Sequence, residues 1–280
     1  MKLGYNTNGL AHHLPEEAIA LVAETGFQIL GLTIDHHWLS PRSLTASADL
    51  LRMGELLRQA GLSTVIETGA RFLLDPRRKH WPPLTASREV AASRVGFIGY
   101  ALHVAAELQS HCVSIWSGAA LDDSTPQQSL DNLARNLQPV LETADQLGID
   151  IGFEPEPGMF VETLGGFERL RQWIGHPRLR LTLDIGHLFC MGEVPIADHI
   201  LRAGDWIVNV HIEDMRAGVH DHLMFGEGQI HFPPVIEALK ETGFAGPVCV
   251  ELSRHSHDAA RAVQQSWDFL APLIHSQTSR

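Results

Sequence analysis

Short apolar, β-branched runs alternate with longer segments of helical period along the whole chain, and this rhythm constrains the fold more than any single motif does. The runs read as strands over 3–6, 29–34, 63–67, 112–116, 149–154, 180–184, 207–211 and 248–251. Helical periodicity falls near 15–25, 47–60, 88–108, 125–147, 166–174, 196–203 and 233–242, with a last helix over about 258–273. Gly26, Gly61 and Gly148 each stand between a helical segment and the next strand, where glycine supplies the left-handed residue that ends a helix. Parallel strands need a crossover between them, and a helix provides it. Eight such units predict an α/β fold: a single (β/α)8 barrel, with its active site at the C-terminal ends of the strands. A doubly wound open sheet competes, but no Gly-x-Gly-x-x-Gly turn follows the first strand. No linker, charge block or low-complexity tract divides the 280 residues, so 1–280 is expected to form one domain.

Composition narrows the partners. The formal charge of −12 disfavours a phosphate backbone, and the one short basic cluster is Arg77-Arg78-Lys79, so no nucleic acid is expected. No run approaches the roughly 20 apolar residues of a membrane span, and the N-terminal residues lack the apolar run of a signal peptide. Cys112, Cys190 and Cys249 are odd in number and far apart, which fits small buried hydrophobes in a reducing cytoplasm better than a disulfide framework. The 17 histidines stand out, because histidine is the residue that metals and proton transfers use most.

The strand ends carry the chemistry. The fifth run closes on Glu154, the sixth on Asp184, the seventh on His211 and the eighth on Glu251. Each alone reads as a solvated rim group. Together they put three carboxylates and an imidazole, at one offset on four successive strands, onto one rim. Carboxylates straight after buried apolar runs are costly unless paired or bound to a cation. Such a mixed O/N set suits one divalent ion, Mn²⁺ first, then Mg²⁺, Co²⁺ or Zn²⁺.

These motifs resemble those of the xylose-isomerase-like TIM-barrel superfamily of sugar isomerases and epimerases, which also contains endonuclease IV. The resemblance covers essentially the whole chain. It rests on Ile151-Gly152-Phe153-Glu154, Leu183-Asp184-Ile185-Gly186-His187, Val210-His211-Ile212-Glu213-Asp214, Val250-Glu251, and the loop from His220 to Ile230 with its Gly226-Glu227-Gly228 turn. It implies Glu154, Asp184, His211 and Glu251 as metal ligands, and places His187 and His222 among substrate contacts or additional ligands. Glu154-Pro155-Glu156-Pro157 is similar to the Glu-Pro-Lys-Pro of true xylose isomerases, with Glu156 where those enzymes carry a catalytic lysine. A hydride shift of that type is therefore not expected. By resemblance to the ketose 3-epimerases, Glu154 and Glu251 are the catalytic acid and base.

Further pocket candidates stand close to those ends. Glu156 shares strand parity with Glu154, Glu67 ends the third strand, Arg71 follows it, and Trp116 ends the fourth strand where it could stack on a sugar face. Two long loops, 35–46 and 69–87, should rise over the mouth with Trp38, Arg71, Phe72 and Trp81. Asn6, His12 and Glu162 balance pocket roles against solvated or helix-end ones, and His255 and His257 read as caps of the last helix. His80, His103 and His176 read as ordinary surface or packed residues. The eighth-strand loop, Leu252 to His257, contains no glycine, so the backbone cradle of a barrel phosphate site is not evident and the substrate reads as non-phosphorylated.

Removing a proton beside a carbonyl generates an enediolate, whose negative oxygen needs a nearby cation. The sequence therefore predicts a metal-dependent isomerase or epimerase of cytoplasmic carbohydrate metabolism, acting on a ketose or related polyol-carbonyl compound. A lyase or dehydratase using the same site is the alternative. An endonuclease IV-like nuclease would need a basic surface that −12 does not suggest, and a non-catalytic sugar-binding barrel would not need the full set of rim carboxylates. A homo-oligomer is compatible with the chain, but no sequence feature fixes one.

Overall fold

The computed structural model describes residues 1–275. The eight barrel strands are β1 (Lys2–Asn6), β2 (Ile29–Thr33), β3 (Ser63–Glu67), β4 (Cys112–Ile115), β5 (Asp150–Phe153), β6 (Leu179–Asp184), β7 (Ile207–Ile212) and β10 (Pro247–Val250). They close in the order β1-β10-β7-β6-β5-β4-β3-β2, and every neighbouring pair is parallel. The expected (β/α)8 barrel is thus observed. Its outer layer comprises α1 (Pro15–Thr25), α2 (Ala46–Ala60), α3 (Arg88–Glu107), α4 (Pro126–Leu147), α5 (Leu164–Ile174), α7 (Ile196–Ala203), α8 (Phe232–Glu241) and α9 (Ala259–His275).

Local chemistry sets the helix ends. Thr125 accepts from the Gln128 amide at 3.2 Å while the Gln128 side chain accepts from the Thr125 amide at 2.8 Å, a capping box that starts α4. Gly26 (φ 115°) closes α1 in the left-handed region, as its place between helix and strand predicts.

Strand periodicity decides what reaches the barrel interior. Ile29, Val65, Cys112 and Cys249 form a small buried cluster with Val208 packed against it, apart from the main core between sheet and helices. Two residues further along their strands stand Gly31, Glu67, Ser114 and Glu251, so the apolar layer supports the polar floor of the mouth. Cys112 and Cys249 thus fill interior space as small hydrophobes, whereas Cys190 is half-buried; all three are free.

In β7 the pairing with β6 steps from Leu181↔Ile207 to Thr182↔Asn209. One extra β7 residue is accommodated there, and a bulge of this kind re-aims the side chains beyond it. Asn209 and His211 accordingly both reach Glu67 on the opposite side of the mouth. Gly31 lets the polar floor close: a Cβ there would lie 1.6 Å from the Asn6 Oδ1 atom. Gly31→Ala is expected to cost about 1–3 kcal/mol through overpacking, read as a lower denaturant midpoint.

Two elements lie outside the sequence expectation. The loop after β7 folds into an antiparallel hairpin, β8 (Asp214–Arg216) with β9 (Val219–Leu223), and α6 (Ile185–Cys190) is a short helix directly after β6. No helix among the described residues is long and apolar enough to cross a membrane.

Candidate metal centre

Glu154 follows β5, Asp184 ends β6, His211 is next to last in β7 and Glu251 follows β10, so four strands of the barrel carry these side chains to one place. One potential ligand atom from each lies within 4.8 Å of the others. Imidazole nitrogen Nδ1 of His211 is 3.0 Å from Glu154 Oε1, 2.9 Å from Glu251 Oε2 and 3.9 Å from Asp184 Oδ2. Its other nitrogen, Nε2, is 2.9 Å from Glu67 Oε1. A carboxylate behind a ring nitrogen fixes the tautomer and orientation of a ligating histidine.

The charges explain how so many acids share one buried site. Burial alone would lower the His211 pKa, but Glu67, Glu154 and Glu251 outweigh it and hold the ring protonated well above the ordinary histidine range. Burial pushes the Glu154 carboxyl well up against the pull of His211. For Glu251 burial acts in the same direction, yet the proton on His211, with His222 and His187, keeps its carboxyl below the usual range. Asp184 is likewise lowered, as His187, His222 and His211 overcome burial. Its Oδ1 caps α6 by accepting from the His187 amide at 2.7 Å, while its buried Oδ2 accepts no hydrogen bond. That orphaned oxygen, in a mixed set of three carboxylates and one imidazole, fits a divalent cation.

A cation entering here would compete with the His211 proton. Ion binding is therefore expected to release protons, from His211 and from the raised Glu154 carboxyl, and its affinity should rise with pH. Calorimetric titration in buffers of differing ionisation enthalpy reads both effects.

A cavity of about 620 Å³ opens above the cluster and reaches Glu154, Glu156, His211 and Glu251. Of the expected pocket residues, Glu67, Arg71, Trp116, His222, Asn6, Trp38 and Phe72 line it too. Glu67 accepts from Asn209 Nδ2 at 3.3 Å and is engaged by His211 Nε2 at 2.9 Å. Glu156 is pushed up to about 7, by burial first and then by Glu251.

His187 is buried and does not line this cavity. Its Nδ1 is 3.2 Å from the Pro155 carbonyl oxygen and its Nε2 is 3.1 Å from His220 Nε2, with His222 completing a three-histidine group. Burial would lower His222, but Glu213, with its Oε2 3.9 Å away, raises it to about 10.

Other candidates fall away from the mouth. His12 is exposed, and exposed Glu162 accepts from the Gly158 amide at 3.3 Å. Trp81 carries the Arg78 guanidinium 3.9 Å above its ring. His255 stands at the N-cap of the 3-10 turn that leads into α9, without a side-chain cap bond, and His257 Nδ1 lies 3.2 Å from the Arg254 carbonyl oxygen. His80, read from sequence as ordinary, lines the cavity.

Asn8 and Asn209 join the site although no motif in the sequence singles them out, and Glu213, present in the seventh-strand motif, faces His222. Asn209 and Glu213 stand two residues either side of His211, and that alternation is the signal that marks Asn209. Asn8 donates to Glu251 Oε1 at 2.7 Å from a 3-10 turn, where no periodicity marks it.

A family model described as a xylose isomerase-like TIM barrel matches residues 19–273. The chain belongs to this family. Among curated relatives of this xylose isomerase-like barrel, an inosose dehydratase of Lacticaseibacillus casei is 29% identical over 174 residues, 55% of this chain and 57% of that enzyme. L-ribulose-5-phosphate 3-epimerase UlaE of Shigella flexneri serotype 5b is 24% identical over 264 residues, 91% of this chain and 88% of that protein. The chain spans between half and two thirds of the length of the first curated relatives it matches. A solved structure of IOLI protein with a binding zinc atom superposes with a TM-score of 0.79 at 18% identity over all of both chains, a likeness of fold. Homologues of this chain therefore include both epimerases and a dehydratase.

Proposed function

We propose that this chain is a divalent-metal-dependent isomerase or epimerase of a ketose or related polyol-carbonyl compound. Glu154, Asp184, His211 and Glu251 would hold the ion. One observation carries the reading: Glu154 and Glu251, on strands separated by β6 and β7, approach the same His211 nitrogen at 3.0 and 2.9 Å at the cavity floor. When bound, the cation supplies stabilisation of the negative charge that develops on oxygen as a proton leaves the neighbouring carbon.

The protein's own groups do the rest. One of the two glutamates removes a proton from a substrate carbon and the other returns one, and the substrate's stereochemistry sets which does which. Glu67 keeps the His211 ring in place, Asn209 donates to Glu67, and Asn8 holds Glu251. Trp116 offers an apolar face to the sugar. We further assign Glu67, Arg71, Glu156, His187 and His222 to the substrate's surroundings, with His187 outside the cavity lining.

The Glu156 carboxyl favours a second reading. With its pKa at about 7 it can protonate a departing hydroxyl, which a dehydratase requires. Incubation with ketoses, inososes and 3-keto-glycosides in deuterated water separates the two. Deuterium at a stereocentre without loss of water is expected for the epimerase, whereas a dehydrated product assigns the lyase. Neither outcome with a metal-loaded protein would remove both.

A further inference from the structure

The cavity has an acidic floor and a basic wall. The segment between β3 and α3 brings Arg71 and Lys79 into the cavity lining beside His80 and Trp116. Neither cation has a carboxylate within salt-bridge distance among the described residues; Arg71 donates to the Ser253 carbonyl oxygen at 3.2 Å. A third cation stands behind them. Arg94, on α3, is buried at 6% exposure and donates only to backbone carbonyl oxygens: those of Pro82 at 3.1 Å, His80 at 3.0 Å and Thr68 at 3.4 Å. Its guanidinium carbon lies 5.4 Å from the centre of the Trp116 ring. Burial lowers its pKa to about 10, so it stays charged at neutral pH.

A buried guanidinium without a counter-ion is costly, and its field is expressed toward the nearest open space. His80 registers the convergence: burial, together with Lys79, Arg94 and Arg71, lowers it to about 3, so it faces the cavity as a neutral ring. The neighbouring cations are already spoken for. Arg78 pairs with Asp75 at 2.6 Å and Arg254 with Asp221 at 2.7 Å. Asp35, also in the lining, accepts from the His36 amide at 2.7 Å.

We propose that the substrate carries an anionic group, a carboxylate or a phosphate ester, at the end opposite its metal-chelating carbonyl, and that Lys79 and Arg71 bind it with Arg94 supporting them from behind. This rests on the sugar-isomerase reading for the identity of the other end. Binding by side chains explains how an anion is held where the β10 loop offers no glycine cradle. It also fixes orientation, since an anionic end turned toward Glu154, Glu156 and Glu251 would be repelled.

The test begins on chelator-treated protein, so that it stands apart from any turnover. Calorimetry with inorganic phosphate and, separately, with glycolate is expected to show saturable binding of at least one. Lys79→Met or Arg71→Met should weaken it by about tenfold or more, and Lys79→Arg should retain most of it. Stronger phosphate binding assigns a phosphate ester, and stronger glycolate binding a sugar acid. Absence of saturable binding by either ion, or binding unchanged in both methionine variants, overturns the proposal. If a ketose is turned over, its anionic derivative should have the higher kcat/KM, with that advantage falling about tenfold or more in Lys79→Met. An equal or better neutral substrate would also overturn it.

Discussion

Glu251→Gln is expected to lower kcat by about three orders of magnitude while leaving a folded barrel. The substitution keeps the side chain's size and its approach to Asn8, so the local packing of the β10 exit persists. What it removes is the base: an amide neither accepts the substrate proton nor carries the charge that faces His211 at 2.9 Å. Glu154→Gln should act comparably, because its Oε1 stands at 3.0 Å from the same nitrogen. Because both glutamates are also proposed ligands of the ion, metal content is measured in each variant: full ion occupancy with lost kcat assigns acid–base work, and a double variant no slower than either single one marks a shared proton cycle. Circular dichroism and the unfolding midpoint check that the barrel survives. Activity within tenfold of the parent protein in either variant would remove that glutamate from the reaction.

Chelation should abolish turnover, and added Mn²⁺ should restore it. The barrel is expected to survive removal of the ion, because the protonated His211 then holds Glu67, Glu154 and Glu251 together and strand pairing runs unbroken around the closed sheet. The ion should still raise the unfolding temperature, because a ligand that binds only the folded state stabilises it by mass action. Given the carboxylate-rich donor set, Mn²⁺, Co²⁺ and Mg²⁺ are expected to reactivate, each to its own degree. Full activity in a protein shown to be free of metal would contradict this.

Much of this architecture is legible in the sequence. Strands bounded by glycine and turn residues, with helical period between them, express a physical requirement: parallel neighbours need crossovers, and eight of them close. The four strand-end residues were legible for a similar reason, since a carboxylate ending a buried apolar run needs a partner. The β8–β9 hairpin was not, because its sequence from Val219 to Leu223 alternates polar residues with one another and its strands pair only with each other. Arg94 was hidden by its type: an arginine in a helix reads as solvent-facing, and only the packing of the segment before α3 buries it. In the sequence Lys79 reads only as part of a basic run, and His80 as an ordinary histidine. Their place on the cavity wall depends on the path of the 69–87 loop, which no periodicity encodes.

We propose that Glu154, Asp184, His211 and Glu251 converge on one cation. Anomalous scattering from a crystal soaked in Mn²⁺ tests it most directly. The predicted result is a peak among carboxylate oxygens of Glu154, Asp184 and Glu251 and the Nδ1 atom of His211. A peak found only among His187, His220 and His222, or none at all in an enzyme that still turns over substrate, would contradict it.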